Sequence, residues 1–443
     1  MKVDPPNALE IRGGHQSRLG YYMKPIEKVD LTSREFRADP YPFYARWRAE
    51  APVFRTALAD KQEAWIVTRY DDVLTLLKDE RFGKDKTKSL SSDQLARLPW
   101  VPSVFRPLEN NMLDLDQPDH TRLRGLVYQA FTPRLIESMR ERVQDLTDEL
   151  LDAVQARGRM DLIKDYALPL PATIIAEILG VPARDRHKFH RWSNAMLSAK
   201  PSTWGKLRLI PHVIAFMRYI RKMSRQRRAE PRDDLISALV QAREAGDRLS
   251  EDELLSMIVL LLVAGHETTV NLIGNGVVAL LEHPAELERL RDNPALIKPA
   301  IEELLRYDAP VQLATERYAR EEVTIAGATI PRGERVFAAL GSANRDGRQF
   351  DQPDTLQIER DPNRHLSFGQ GVHFCLGASL ARLEGQIAIN TLLHRAPDLR
   401  LAVPRETLRH RPTLILRGLE SLPVTFSRSH PNRSARSITI QNR

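Results

Sequence analysis

One cysteine, Cys375, stands among 443 residues, and glycines crowd it. The stretch Phe368-Gly-Gln-Gly-Val-His-Phe-Cys-Leu-Gly377 sets Gly369, Gly371 and Gly377 around the sulfur. A lone thiol is most often a small buried hydrophobe. A phosphate cradle fails on spacing, because Phe374 stands at the last glycine position of G-x-G-x-x-G and no strand immediately precedes the stretch. The chemistry that fits is a thiolate metal ligand. Glycines let the backbone wrap tightly so that amide N–H groups point at sulfur. A helix starting near Gly377 adds its positive end, which is expected to lower the thiol pKa. Such a setting suits sulfur bound to iron.

A second polar group, Ala264-Gly-His-Glu-Thr-Thr269, interrupts an apolar helical run that begins at Leu254. Glycine in a helix interior costs about 1 kcal/mol, so Gly265 asks for a reason. Either another helix packs closely there, or the helix leaves room for dioxygen. Thr268 either bonds back to the carbonyl one turn earlier or shares a hydrogen bond with that oxygen, while Glu267 relays protons. A zinc protease is excluded, because Val270 breaks His-Glu-x-x-His. Glu303-Leu-Leu-Arg306 taken alone is an ordinary helix-surface pair. Asp116-Gln-Pro-Asp-His-Thr-Arg-Leu-Arg124 places His120 and Arg124 on one helix face. They form either a capped basic helix start or a clamp for carboxylates.

In this order the motifs resemble those of the cytochrome P450 monooxygenases of the soluble bacterial type. The cysteine stretch is similar to that family's Phe-x-x-Gly-x-His/Arg-x-Cys-x-Gly loop through Phe368, Gly371, His373, Cys375 and Gly377. Ala264–Thr269 is similar to the distal Ala/Gly-Gly-x-Asp/Glu-Thr-Thr, and the resemblance covers roughly residues 35–426. It implies a mainly α cytochrome P450 fold, a large helical body with small β-sheets, and haem b (iron protoporphyrin IX) between distal and proximal helices. It implies Cys375 as axial thiolate and metal ligand, with Phe368, Gly369, Ala264 and Gly265 beside the haem. His120, Arg124, Arg317 and His373 match the propionate partners. Thr268 and Glu267 match the catalytic proton-delivering pair. Glu303 and Arg306, with Arg360, match a buried ion network of structural role. Arg382 matches a ferredoxin contact, and Arg122 is a weaker candidate for the same surface.

The implied reaction inserts one atom of dioxygen into a hydrophobic small molecule, by hydroxylation or epoxidation. Only a short basic segment follows Phe426, so electrons are expected from a separate ferredoxin and its NAD(P)H-dependent ferredoxin reductase. A peroxygenase on the same fold and a non-enzymatic haem sensor or carrier are the alternatives; the Glu267–Thr268 pair argues against the first. Pocket walls are expected from Ser91–Asn111, Phe189–Ile220, Leu261–Ala264, Val311–Ala314 and Leu419. They suit a terpenoid, steroid, fatty acid or polyketide.

These residues need a scaffold. Apolar positions recur at helical spacing through Leu135–Val154, Ala172–Leu179 and Leu254–Leu281, punctuated by breakers such as Pro211 and Pro284. A helix is expected from about Gly377 to Ala396. Short strands are expected near Ala64–Thr68, Val323–Ile325, Ala328–Pro331, Arg335–Leu340, Thr413–Leu416 and Val424–Phe426. Residues 1–35 read as an irregular arm, 36–426 as a single catalytic domain and 427–443 as a basic tail. One large helical body fits better than several domains.

Composition narrows the classes further. A single cysteine allows no internal disulfide and points to a reducing, cytoplasmic setting. No apolar run reaches the ~18–20 residues of a membrane span, and no signal peptide begins the chain. The net charge of +8 raises nucleic acid as a partner. However, the basic run Arg221–Arg228 lacks interleaved aromatics and reads as a solvated face. Positive charge is better used to steer an acidic ferredoxin. The expectation is a monomer that binds neither nucleic acid nor membrane.

Overall fold

Ser250 ends one chain segment and starts the longest helix. Its side chain accepts from Glu253 N while the Glu253 carboxylate takes the Ser250 N–H, and three acids fill the first turn. The result runs from Glu251 to Glu282 through the middle of the molecule. The computed structural model describes residues 29–58, 62–96, 111–197, 203–242 and 248–428. The expected arm up to residue 28, the wall segment 97–110 and the tail from 429 lie outside them.

Among the described residues the longer helices are α1 (Tyr41–Glu50), α2 (Tyr70–Lys78), α3 (Asp119–Ala130), α4 (Arg140–Gln155), α5 (Pro169–Ile178), α6 (Arg186–Leu197), α7 (Thr203–Ala229), α8 (Glu251–Glu282), α9 (Pro284–Asp292), α10 (Ile297–Tyr307) and α11 (Ala378–Arg395). The strands are β1 (Val53–Ala57), β2 (Glu63–Val67), β3 (Phe82–Gly83), β4 (Arg159–Asp161), β5 (Arg317–Ala319), β6 (Val323–Ile325), β7 (Ala328–Ile330), β8 (Arg335–Ala338), β9 (Arg400–Leu401) and β10 (Pro423–Thr425).

α8 packs against α5, α10 and α11. Glycines mark the close crossings. A Cβ at Gly274 would fall 2.7 Å from Ile163 Cδ1, and one at Gly385 of α11 would fall 2.8 Å from Leu272 Cδ2. By length and composition α8 could cross a membrane, contrary to the sequence expectation, because apolar residues lie on both sides of its polar stretch Gly265–Thr269 and keep the helix apolar on average. Most of it is buried inside the fold instead.

One sheet has the order β1-β2-β8-β5-β3. Its parallel pair, Trp65↔Val336 to Val67↔Ala338, joins segments far apart in sequence. β5 then pairs β3 through Phe82↔Ala319 and Gly83↔Tyr318, which brings the residues after β3 beside Arg317. β4, β10 and β9 form a second sheet, and β6–β7 a hairpin. That hairpin turns at Ala326 (φ 48°) and Gly327 (φ 82°), a turn that needs left-handed backbone.

Two further expectations fail. Thr413–Leu416 forms no strand, only a single bridge from Leu416 to Val311: the Ile415 carbonyl is taken by Gln312 N and the Leu416 carbonyl by the Thr413 hydroxyl, so no ladder continues. Pro211 does not break a helix; α7 runs through it. The lost backbone bond is offset by Val213, Phe216, Met217 and Ile220, which bury the following turns in the core.

Candidate active site

The cysteine loop is closed by its own backbone. Cys375 N donates to Phe368 O at 2.9 Å, and Gly369 N to Leu366 O at 2.8 Å. Gly369 and Gly371 take left-handed φ values of 69° and 74°. A Cβ at Gly371 would also fall 2.9 Å from Leu77 O. Gly377 is the N-cap of α11, and its N–H points at the sulfur. The sulfur is surrounded by protein yet reachable from solvent, so it opens into a crevice. Burial pushes the thiol pKa up, against the Gly377 N–H, Arg124 and Arg382. The expected lowering by the helix end is therefore present but outweighed: desolvation of a thiolate costs more here than these groups return.

Beside the loop lies a buried basic cluster. His120 of α3 is 2% exposed, and neither ring nitrogen has a partner. α3 starts at Pro118 without a side-chain cap, so the capped-start reading of this motif does not hold. The His120 ring centroid is 4.3 Å from that of His373. Burial, then His120, Arg317 and Lys84, push the His373 pKa down to about 2. Burial and then Arg124 lower that of His120. Arg317 donates to Phe82 O and Leu77 O, each at 3.2 Å, while its Nε has no partner. Burial brings its pKa down to about 10. Arg124 donates to Phe374 O at 2.8 Å, tying α3 to the cysteine loop.

Lys84 completes the cluster and had no sequence signal. It follows β3, in the lysine-containing stretch Lys84–Lys88. Its amine is buried and donates to Thr315 O at 2.7 Å, Glu316 O at 3.0 Å and Thr315 Oγ1. Burial, then Arg317, push its pKa down to about 7. The acid among them, Asp116, is occupied: it accepts from Lys84 N at 2.8 Å, Asp85 N at 2.9 Å and Arg320 at 2.7 Å. The cluster thus keeps ring and guanidinium nitrogens to spare, at His120 and Arg317 Nε. It suits an anion carrying several oxygens.

The other expected residues share one turn of α8. Val263 is 37% exposed and Ala264 is exposed, although both lie mid-way along a core helix. A Cβ at Gly265 would meet only Ile175, at 3.9 Å, so no close helix contact explains that glycine. Thr268 Oγ1 donates back to Ala264 O at 2.9 Å. Glu267 Oε1 lies 3.1 Å from Arg411 Nη1, an ion pair the sequence did not suggest. Glu384 on α11 was also missed. It is 1% exposed, neither oxygen has a hydrogen-bond partner, and burial holds its pKa up at about 8, with the Thr269 hydroxyl pulling the other way.

The two residues expected to face a ferredoxin each form an ion pair within the chain and keep part of their side chain exposed. Arg382 makes a two-pronged pair with Glu302 at 2.7 and 2.8 Å and lies over the Phe368 ring at 4.4 Å. Arg122 pairs with Glu253. Trp192, in an expected pocket wall, packs on Tyr219 and Phe216.

Known proteins resemble this arrangement along most of the chain. The cytochrome P450 family profile matches residues 209–396. The chain is 46% identical over 399 residues to the polyketide biosynthesis cytochrome P450 PksS of Bacillus subtilis, covering 89% of this chain and 98% of that one. It is 44% identical over 406 residues to the vitamin D(3) 25-hydroxylase of Pseudonocardia autotrophica, covering 90% and 97%. The solved PksS structure from Bacillus subtilis superposes with a TM-score of 0.84 at 45% identity, covering 90% of this chain and 100% of that one. The myxobacterial CYP267B1 in complex with myristic acid also gives 0.84, at 44% identity and covering 90% and 98%. With this likeness over about 90% of its length, the chain belongs to the cytochrome P450 family of monooxygenases.

Proposed function

We propose that this chain is a haem b monooxygenase that hydroxylates or epoxidises an apolar small molecule. It would act as a cytoplasmic monomer, with electrons from a separate ferredoxin and its NAD(P)H-dependent reductase. The observation that carries this reading is a reachable sulfur beside a buried basic cluster with unpartnered His120 and Arg317 nitrogens. Haem presents one iron and two carboxylates, which match one sulfur and that cluster. Cys375 would hold the iron; His120, Arg124, Arg317, His373 and Lys84 would hold the carboxylates. Phe368 and Gly369 would lie on the thiolate side, with Ala264 and Gly265 opposite. When bound, the haem supplies the iron at which dioxygen is activated.

The chain's own residues position and protonate. The Thr268 hydroxyl rests on Ala264 O and is placed to turn and pass a proton. The Glu267 carboxylate, beside the partly exposed Arg411, would take each replacement proton from solvent, pass it on to the Thr268 hydroxyl and so return to a carboxylate. The exposed Val263 offers apolar surface to substrate and excludes water. The names of the relatives support an apolar substrate of polyketide, sterol or fatty-acid size. One similar structure, P450BioI, is described in complex with a hexadec-9Z-enoic acid ligated acyl carrier protein. A carrier-bound acyl chain is therefore a further substrate form to screen.

The test is spectroscopic. Reduced protein under carbon monoxide should show the band that names the family, and Cys375→Ala should lose it. A colourless wild type, or an unchanged band in the variant, ends the reading. Product formed with ferredoxin, reductase and NAD(P)H supports the monooxygenase. Equal turnover with peroxide alone assigns a peroxygenase, and haem binding with no oxygenated product a sensor or carrier.

A further inference from the structure

Three side chains spaced by four on α8, Glu267, Asn271 and Asn275, all meet the same C-terminal hairpin, residues 409–420. Arg411 Nη1 is 3.1 Å from Glu267 Oε1. Gly418 lies so close to the helix that a Cβ would fall 1.8 Å from Asn271 Oδ1. Asn275 Nδ2 donates to Arg417 O at 3.0 Å. A spacing of four is about one helical turn, so the hairpin lies along a single face of α8.

The hairpin is itself held firmly. Arg411 N donates to Gly418 O at 2.8 Å and Glu420 N to Arg409 O at 2.9 Å. His410 and Leu419 form an antiparallel bridge. Arg417 pairs with Asp308 at 2.7 Å, Arg417 N donates to Pro310 O at 2.9 Å, and Arg37 Nη1 donates to His410 O at 3.1 Å. The backbone that carries Arg411 is thus fixed from several sides. Its guanidinium, with the side chain 30% exposed, reaches inward to a carboxylate whose side chain is 12% exposed.

We infer that Arg411 is a positioning residue for proton delivery: through it, the 409–420 hairpin aims the Glu267 carboxylate and holds it at the water-facing end of the path to Thr268. This rests on the reading of Glu267 as a proton relay. An unheld carboxylate samples several rotamers, and each one that points away from Thr268 interrupts the path. A charge-assisted bond to a fixed partner removes most of them, and the pair's partial exposure keeps water within reach.

The experiment compares Arg411→Gln, Arg411→Lys, Glu267→Gln and the Arg411→Gln/Glu267→Gln double variant as holoenzymes. The expected result for Arg411→Gln is a several-fold larger share of electrons ending as hydrogen peroxide and a larger solvent deuterium isotope effect on product formation. Its carbon monoxide band should stay unchanged, and Arg411→Lys should restore both readouts. The double variant should be no worse than Glu267→Gln alone. The thermal midpoint shift caused by Arg411→Gln should also shrink in the Glu267→Gln background, which shows the pair without any turnover. Wild-type partition in Arg411→Gln, or equal midpoint shifts in both backgrounds, overturns the inference. If Glu267→Gln itself partitions like wild type, the relay reading fails, and the positioning role falls with it.

Discussion

Two buried charged clusters in the molecule are finished to different degrees. In one, Glu303 and Arg306 are fully buried and paired at 2.7 and 2.8 Å. Arg360 adds two contacts to Glu303 at 3.2 Å, Gln357 N one at 2.9 Å and Asn363 Nδ2 one at 3.1 Å. The remaining Arg306 donors go to the carbonyls of Asn344, Pro353 and Thr355. In the other, His120, His373, Arg317 and Lys84 crowd together beside the occupied Asp116, and nitrogens of His120 and Arg317 have no partner. A closed cluster is complete without a ligand and acts as scaffold. An open one carries a desolvation cost that only an incoming anion relieves. That difference separates structural from binding residues where burial and charge alone do not.

The largest expected effect breaks the closed cluster. Arg306→Leu leaves the Glu303 carboxylate short of its main partner and should cost about 3–5 kcal/mol in guanidinium unfolding. A loss below about 1 kcal/mol would show that Arg360 carries the network by itself.

Glu384 is a third case, a buried acid with no partner cluster. Its folded pKa of about 8 lies above the ordinary carboxyl value of 4.5. The folded state therefore holds the proton more tightly than the unfolded chain does. This contribution to stability is full below the unfolded value and is lost as pH rises through about 8, by up to about 1.4 kcal/mol per pH unit. Glu384→Gln does not titrate, so its unfolding midpoint should gain on wild type as pH rises, then level off. A gap that stays constant with pH would mean that the carboxyl has found a partner in solution.

The smallest effect sharpens the contrast at the open cluster. His120→Leu removes two unpartnered nitrogens, so the haem-free chain should gain about 1–2 kcal/mol in denaturant. Transfer of haem to an acceptor apoprotein should meanwhile become roughly tenfold faster, a difference of about 1.4 kcal/mol. A loss of stability in the haem-free chain would place His120 among the scaffold residues instead.

Contiguous features were legible in the sequence. The cysteine loop could be read because its glycines, histidine and cysteine sit within ten residues and their backbone needs are local. α8 was legible from its apolar period, and β6 to β8 from the glycines that separate them. Lys84, Glu384 and Arg411 were not, because the role of each comes from neighbours far along the chain. Lys84 meets Thr315 only through the β3–β5 pairing, and Arg411 meets Glu267 only because the hairpin lies on α8. The pairs of Arg382 with Glu302 and of Arg122 with Glu253 were not legible either, because their members lie far apart in sequence.

The amino-acid order by itself determined which atoms are available for chemistry: one sulfur in a glycine turn, and one threonine beside an acid on an apolar helix. These depend on local backbone freedom and helical period, which a short stretch of chain dictates. Tertiary structure decided the charge states and the aim of those atoms. Desolvation and cross-chain partners set whether a thiol, an imidazole or a carboxyl is neutral and where it points, and both arise only when distant segments exclude water from one another.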